Sequence, residues 1–480
     1  MSRDKGKTTI LNLYTMWICS IYFAVLTQED LIDTALLAVR EVVFPLSLSG
    51  ILDNKAEVFH VMMLLVGKWG AWLLVTVIVW LIGRKILFKK LQNMDCTTIL
   101  ERLEGIKDYL AMTGIFIEMI WAAFFYASFS IPYSEVLIFI AMQCLAAKII
   151  IDDHSQKEWK VILVFVMFGI VCKLYTDRNF VLRTVLLIAA FKDLDLKKVM
   201  KWYLVVNGIA VVMIVAISGL GITGTWMETE AYRSDIETAN RYALGFNSPN
   251  TTHFVIVRLA LIAMYIWWDK LEWWHIVPFL AINHMLYIFT DSRTGMLVGL
   301  AAGVLAIFFR YFKKLRDKKI WYIAGGCLIV ALAIFSLCFF QWNFQQYDSD
   351  RICPDWVYRV NGLMVGRIHQ MLKFKQGIEI SPFGTYKSGV YIDMGYVKLF
   401  LQEGFIAFGL YLAMMIYLIK KQYSAKDYAG YIIVIVVSIR MLMESSFVPF
   451  VFQNPALMLA MGCGILCNNE KECVSKHAVT

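Results

Sequence analysis

Long apolar stretches recur along the whole chain and constrain its fold more than any other feature. Stretches of about 17 to 22 apolar residues follow one another from near residue 10 to near residue 467. Each is long enough to cross a hydrocarbon core of roughly 30 Å as a helix, which satisfies its own backbone hydrogen bonds there. With 59% hydrophobic and 17% charged residues, the 480-residue chain lies outside the composition of a soluble domain. We therefore expect an all-α polytopic membrane protein.

The apolar segments predict about fourteen transmembrane helices. The predicted ranges are 10–26, 60–82, 109–129, 134–151, 160–175, 180–191, 202–222, 251–268, 273–289, 295–310, 320–340, 396–419, 428–446 and 450–467. The first range is interpreted as a retained helix, because no small-residue cleavage site follows it. The segment 35–52 is assigned to the first external loop as an interfacial helix, because it contains Arg40, Glu41 and Pro45.

This assignment divides the chain into four parts. Residues 1–340 form the first part of the membrane domain, with about eleven helices and an external loop at 223–250. Residues 341–395 form a large extracytoplasmic loop carrying short helices. The last three helices lie within 396–467, and 468–480 form a cytoplasmic tail.

The basic residues predict the orientation in the membrane. Alternation from a cytoplasmic N-terminus puts GRKILFKK, KDLDLKKVMK, RYFKKLRDKK and KKQYSAKD inside, as the positive-inside rule requires. The net charge of +9 is explained by these short loops rather than by a nucleic-acid-binding domain. The predicted topology therefore has both termini cytoplasmic.

The two sides of the membrane differ in the cation that they use. The predicted inner side carries 5 Arg and 23 Lys, whereas the outer half carries 11 Arg and 7 Lys. Lysine suffices as a point charge for orientation, but the planar guanidinium binds phosphate bidentately. The outer face therefore has the chemistry of a phosphate-binding surface. The sequence contains no P-loop, HExxH or paired metal-ligand motif, so no metal or cofactor is expected.

Three outer segments contain candidate site residues. RYALGFNSPNTTH places Arg241, Asn250 and His253 at a helix entrance, where the helix amides favour an anion, although Asn-Pro-Asn also suits an ordinary turn and cap. DSRTG holds Arg293 in a short loop between two predicted helices. The segment 355–376 has helical periodicity and places Arg359 and His369 on one face with two glycines, a pattern that equally suits a packing seam.

Other charged residues admit alternatives. Asp393 precedes a predicted helix, where it would act as a base, orient a histidine or cap the helix. Arg440 and Glu444 have the i,i+4 spacing of an ion pair within one helix. Arg183 and Arg258 lie one to two turns inside predicted helices, where snorkelling, burial against a carboxylate and ligand contact all stay open.

The order of these motifs resembles that of the O-antigen ligase and polymerase superfamily. RYALGFNSPN, DSRTG, GRIHQ, SPFG and YIDMGY…EG follow one another over about residues 200–445, and the chain most resembles the Wzy-type polymerases of capsules and exopolysaccharides. The resemblance implies a GT-C-like, metal-independent glycosyltransferase in a bacterial plasma membrane with an extracytoplasmic active site. Its substrates would be oligosaccharides linked to undecaprenyl diphosphate, and a chain-length regulator and a flippase are candidate partners.

The resemblance also implies roles for individual residues. His369 is the first candidate for the catalytic base and Asp393 the second. The diphosphate and substrate would be bound by Arg241, Arg293, Arg359, Arg367, Asn250 and Tyr396.

Two further functions fit the sequence. A ligase would transfer the finished glycan to another acceptor and use the same residues. A flippase for lipid-linked oligosaccharides, which belongs to a different class, would show internal repeats and interrupted helices near the midplane. No convincing repeat is present, and the polar residues concentrate on one side.

Overall fold

The computed structural model describes residues 2–27, 76–90, 97–129, 134–231, 238–341, 355–364, 367, 380–385, 392–445 and 450–463. Regular structure in these ranges is almost entirely helical. The helices are α1 (Ser2–Thr27), α2 (Thr97–Phe124), α3 (Ser134–Ile151), α4 (Gln156–Thr176), α5 (Phe180–Ala190), α6 (Leu196–Gly219), α7 (Pro249–Ile266), α8 (Trp273–Thr290), α9 (Arg293–Tyr311), α10 (Lys313–Arg316), α11 (Lys319–Gln341), α12 (Asp355–Leu363), α13 (Gly395–Gln402), α14 (Phe405–Ala425), α15 (Tyr428–Met441) and α16 (Pro455–Gly462). Residues 76–90 are also helical.

Seven of the described helices are long and apolar enough to cross a membrane. They are Ser134–Ile151, Gln156–Thr176, Leu196–Gly219, Pro249–Ile266, Arg293–Tyr311, Lys319–Cys338 and Phe405–Ala425. Large apolar side chains project outward from the helices, and Val164, Val212 and Ile288 are each more than 60% exposed. Such a surface is typical of contact with lipid tails. The chain is thus an α-helical membrane protein, while fourteen spans and a GT-C-like arrangement stay predictions.

The chain forms two compact units. The first contains residues 1–114 and 139–155, and the second contains residues 115–138 and 156–480. In the first, the Trp80 indole donates to the Thr15 hydroxyl at 2.9 Å. Asp152 is ion-paired there with Lys107 at 3.1 Å and with Lys148. All the described candidate site residues lie in the second unit.

One end of the second unit gathers several of its lysine-rich loops. Arg310, at the end of α9, donates to the Asp269 carbonyl at 3.0 Å and lies 3.4 Å from the Glu272 carboxylate in the α7–α8 connection. The Tyr428 hydroxyl, at the start of α15, donates to Asp317, and its ring lies 6.4 Å from that of Trp268. We call residues 267–272, 310–319 and 420–428 the lysine-rich end. Exposed tryptophans lie in it at position 267 and beside it at 273 and 274, as in the aromatic belt of a membrane interface.

The predicted external loop 223–250 contains a β-hairpin. Strands β1 (Met227–Ala231) and β2 (Thr238–Tyr242) pair antiparallel, with Glu228 opposite Arg241. An isolated bridge between Ala127 and Phe246 ties the following turn to the end of α2. The strands are mostly polar, so hydropathy alone does not distinguish them from a loop.

The helix predicted over 396–419 is interrupted, which corrects that prediction. It divides into α13 and α14 at Glu403 and Gly404, where Gly404 has φ +92°. The SPFG segment, residues 381–384, packs against this break, since the amide of Phe405 donates to the Ser381 carbonyl at 3.2 Å. Gly384 also has positive φ, at +96°, and a Cβ there would overlap the Gln402 carbonyl. Two glycines therefore allow two backbone segments to approach closely.

Candidate functional site

Polar side chains from three separate segments meet at the end of the second unit opposite the lysine-rich end. Arg241, on β2, donates from Nη2 to the Asn250 side-chain carbonyl at 3.0 Å and from Nε to the Thr290 carbonyl at 3.0 Å. Asn250 then donates from Nδ2 to the Glu444 carboxylate at 3.2 Å. The sequence-predicted Arg241 and Asn250 are thus neighbours, and a carboxylate lies beside them.

Arg367 completes this chain of contacts from the large loop. Its Nη2 donates to Oε1 of Glu444 at 2.6 Å, the same oxygen that accepts from Asn250. Its Nη1 lies 3.4 Å from the Thr294 hydroxyl, and its Nε lies 3.7 Å from Oδ2 of Asp393. These contacts therefore form one continuous polar network, which runs in the order Arg241, Asn250, Glu444, Arg367, Asp393.

Helix ends position Asn250 and Glu444 in this network. Asn250 lies in the first turn of α7, after Ser248 caps the helix by accepting from the Thr251 amide at 3.2 Å. Glu444 follows the end of α15 at Met441, so the helix predicted over 428–446 ends earlier than expected. Glu444 lies beyond this end, and its carboxylate contacts Arg367 and Asn250.

The DSRTG loop is shorter than the sequence suggests. Helix α8 ends at Thr290 and α9 begins at Arg293, so two residues connect them. Asp291 adopts φ +44°, a left-handed conformation that closes α8. The side chain of Ser292 accepts from the Gly295 amide at 3.2 Å and caps α9. This tight turn fixes the carbonyl of Thr290 that receives Arg241.

A buried histidine, His253, contacts the side chain of Thr290. His253 Nδ1 lies 3.1 Å from the Thr290 hydroxyl, and its Nε2 lies 2.9 Å from Oδ1 of Asn283. Asn283 donates from Nδ2 to the Met296 carbonyl at 3.0 Å, which leaves its oxygen for His253 and assigns a proton to Nε2. A Cβ at Gly299 would overlap the Asn283 amide. His253 and Asn283 therefore support the site rather than line it.

Two further arginines are buried beneath the network. Arg440 has its guanidinium carbon 3.2 Å from the Phe254 ring centroid, and that of Arg258 lies 6.0 Å away. Each is 1% exposed. Arg258 donates to the Gln453 carbonyl at 3.5 Å, and its Nε has no hydrogen-bond partner among the described residues.

Among the described charged groups of the network and the two arginines beneath it, arginines outnumber carboxylates. The four arginines at positions 241, 258, 367 and 440 are all buried, whereas Glu444 is buried and Asp393 is only half-buried. Glu228 stands opposite Arg241 on the hairpin as a third carboxylate. Positive charge is therefore in excess among these groups, as in a site for an anion.

Asp393 has the environment of a proton-accepting carboxylate. It lies outside the seven candidate membrane spans, and burial raises its pKa, with a further increase from the nearby charge of Glu444. Arg367 and Lys398 oppose this shift. The N-cap of α13 is Met394, so Asp393 does not cap this helix, which was one of the roles that the sequence left open. Its side chain lies beside Arg367 instead.

The other predicted site residues lie elsewhere or outside the described residues. Arg293 begins α9 and is exposed, and Arg359 is exposed on α12. Tyr396 is fully buried, and its hydroxyl donates to the Ser438 carbonyl at 3.2 Å. His369, the first candidate for the base, lies outside the described residues.

The sequence interpretation missed the central role of Glu444. It favoured an ion pair with Arg440 at i,i+4 spacing and did not predict that Arg367 and Asn250 share the carboxylate. A signal was present, because the polar sequence ESS at 444–446 already departs from an apolar helix. The sequence interpretation also did not predict the contact of Thr294, within DSRTG, with Arg367.

The fold and this site define the class: an α-helical membrane protein with a buried, arginine-rich polar network at one end. Among the described residues, no three His, Cys, Asp or Glu side chains lie together in a way that would hold a metal ion. No family model, no curated protein and no solved structure matches the chain.

Proposed function

We propose that the chain is a polymerase of oligosaccharide repeat units linked to undecaprenyl diphosphate. It would act as a metal-independent GT-C-type glycosyltransferase on the outer face of a bacterial plasma membrane, in capsule, exopolysaccharide or O-antigen synthesis. The donor would be a glycan on a lipid diphosphate, and the acceptor would be a single lipid-linked repeat unit. Fourteen spans with cytoplasmic termini belong to the same proposal.

The observation that carries the proposal is the network joining Arg241 and Arg367 through Asn250 and Glu444. It combines excess positive charge with bidentate donors at one end of the helices. Guanidinium groups in this arrangement suit the oxygens of a diphosphate. The lysines concentrate at the opposite end, where an orienting charge is sufficient.

The proposed reaction exchanges one glycosidic bond for another. The acceptor hydroxyl oxygen forms a bond to the anomeric carbon of the donor, while the bond from that carbon to the diphosphate oxygen breaks. The hydroxyl proton passes to a base, and undecaprenyl diphosphate leaves with its added negative charge. Arg241 and Arg367 would stabilise that charge, which increases in the transition state.

Two side chains compete for the role of the base. Asp393 lies 3.7 Å from Arg367 and thus close to the proposed diphosphate position. His369 lies two residues beyond Arg367 in sequence. If Asp393 accepts the proton, His369 would contact sugar hydroxyls. Arg293 and Arg359, which are exposed, would then reach the outer part of the lipid-linked substrate.

Polymerisation by the purified protein tests this proposal. Synthetic undecaprenyl-diphosphate repeat unit is incubated with the protein and EDTA, and products are separated by length. We expect a ladder of products from wild type, and its loss in Arg241→Lys, Arg293→Lys and His369→Ala variants that retain their folding. The absence of product from the authentic substrate would reject the proposed polymerase activity. Transfer to a second acceptor without chain growth would indicate a ligase, and transbilayer movement without transfer a flippase.

The pH dependence of the rate distinguishes the two bases. If Asp393 is the base, kcat/KM is expected to fall as pH falls through its pKa, because protonation removes the accepting lone pair. The inflection should lie above the ordinary carboxyl value of about 4, since burial raises this pKa. Glu444→Gln should move the inflection to lower pH, because the charge of Glu444 raises the pKa of Asp393.

The control for this measurement is Asp317→Asn, which alters a carboxylate at the lysine-rich end. It should leave the inflection unchanged. An inflection near 6.5 that disappears in His369→Ala and does not respond to Glu444→Gln would assign the base to His369 instead.

A further inference from the structure

A cleft opens between α7, α8 and α9 on the side facing the lysine-rich end. Its volume is about 440 Å³, within the range of small-molecule sites. The deep part is lined by apolar and small residues, among them Ala260, Ala263, Phe279, Ala302 and Gly303. Ala260 and Trp267 at the mouth are seven positions apart along the helix, so the cleft is about 10 Å deep, roughly a third of a hydrocarbon core. This space accommodates part of an acyl chain.

The mouth of the cleft differs in chemistry from its interior. Trp267, Lys270 and His275 lie around it. Lys270 is exposed, and its ammonium has no ion-pair or hydrogen-bond partner anywhere in the described part of the chain. By contrast, the nearby Arg310 is already paired with Glu272. The exposed tryptophan places the mouth at the level of lipid headgroups.

We propose that this cleft binds an anionic phospholipid of the leaflet that borders the lysine-rich end. One acyl chain occupies the apolar interior, and Lys270 holds the phosphate headgroup at the mouth. A neutral peptide or a free anion would match only one of these two surfaces. The proposal does not depend on the proposed function, because the cleft lies at the other end of the helices from the arginine network.

Native mass spectrometry of the full-length protein tests the proposal. The protein is equilibrated with phosphatidylglycerol or phosphatidylcholine of identical acyl chains, and retained lipid is counted. We expect wild type to retain phosphatidylglycerol preferentially. Lys270→Gln should reduce that preference by about fivefold, as expected for one basic residue near a lipid phosphate. Ala263→Phe, which fills the interior, should reduce the retention of both lipids.

Two control variants match these substitutions. Lys314→Gln removes a charge at the same end away from the cleft, and Val304→Phe adds a ring to the exposed face of α9. Both should retain lipid as wild type does. Equal retention of the two lipids by wild type would overturn the proposal, as would unchanged preference in Lys270→Gln. The lipid preference of Lys270→Gln tests the proposal even if Ala263→Phe fails to fold.

Discussion

Replacing Arg367 with lysine is expected to slow polymer formation by about 10²–10³-fold, the effect of removing a preorganised donor from a developing anion. Arg367 faces three groups at once, Glu444 at 2.6 Å, Thr294 at 3.4 Å and Asp393 at 3.7 Å. A lysine ammonium is a point charge without the planar fork, so it cannot span these positions while also contacting a diphosphate. The rate of ladder formation at saturating substrate measures the effect.

Arg310→Lys provides the matched control. Arg310 also contacts a carboxylate and a backbone carbonyl, but at the lysine-rich end. We expect its polymerisation rate to stay within about twofold of wild type, because lysine keeps the charge and a partly exposed ion pair contributes little. Comparable rates for wild type and Arg367→Lys would remove Arg367 from the proposed site. Equal losses in both variants would indicate a general effect of arginine removal on folding.

The helical segments were predictable because burial in lipid leaves few alternatives for an apolar stretch. In lipid, the backbone of a continuous apolar run such as Leu196–Gly219 must form its hydrogen bonds within the segment, as a helix does. The hydropathy of the run is therefore enough to predict the helix. Four residues that the sequence interpretation named, Arg241, Asn250, Arg367 and Asp393, lie in one network. Their common position followed from topology, since alternating helices bring every second helix end to the same side.

The remaining features depend on contacts distant in sequence. Glu444 is separated from Arg367 by 77 residues and from Asn250 by 194, so no local spacing indicates either partner. The break at Gly404 coincides with the polar residues Gln402 and Glu403, but its geometry depends on the packing of SPFG against it. The hairpin likewise depends on pairing between two polar strands. Tertiary contacts override the local pattern in each case.

Replacing Arg183 with methionine is expected to destabilise the protein by about 3–5 kcal/mol, the usual cost of breaking a buried ion pair. Arg183 and Glu118 are 2% and 3% exposed. The pair is bidentate, with Nε of Arg183 at 3.0 Å and Nη2 at 2.5 Å from the two oxygens of Glu118. Without Arg183, the carboxylate would remain buried with its charge uncompensated. Of the alternatives that the sequence left open for Arg183, the structure selects burial against a carboxylate.

A double-mutant cycle separates the ion pair from its packing. The Arg183 guanidinium carbon also lies 4.1 Å from the Trp121 ring centroid and 4.3 Å from that of Phe450, so an apolar side chain of similar length retains much of this contact. Combining Arg183→Met with Glu118→Leu should therefore recover most of the lost free energy of unfolding, because neither charge is then buried alone.

The exposed pair of Lys173 and Asp177 supplies the comparison for this cycle. These residues also form an ion pair, here with i,i+4 spacing, but the Asp177 side chain is 54% exposed. Lys173→Met should change the free energy of unfolding by less than about 1 kcal/mol, because solvent screens the pair. Denaturant titration in detergent micelles measures all the variants. If the double variant is as unstable as Arg183→Met, the loss arises from packing against Trp121 and Phe450 rather than from an uncompensated charge. If Arg183→Met matches Lys173→Met, the buried ion pair does not stabilise the folded protein.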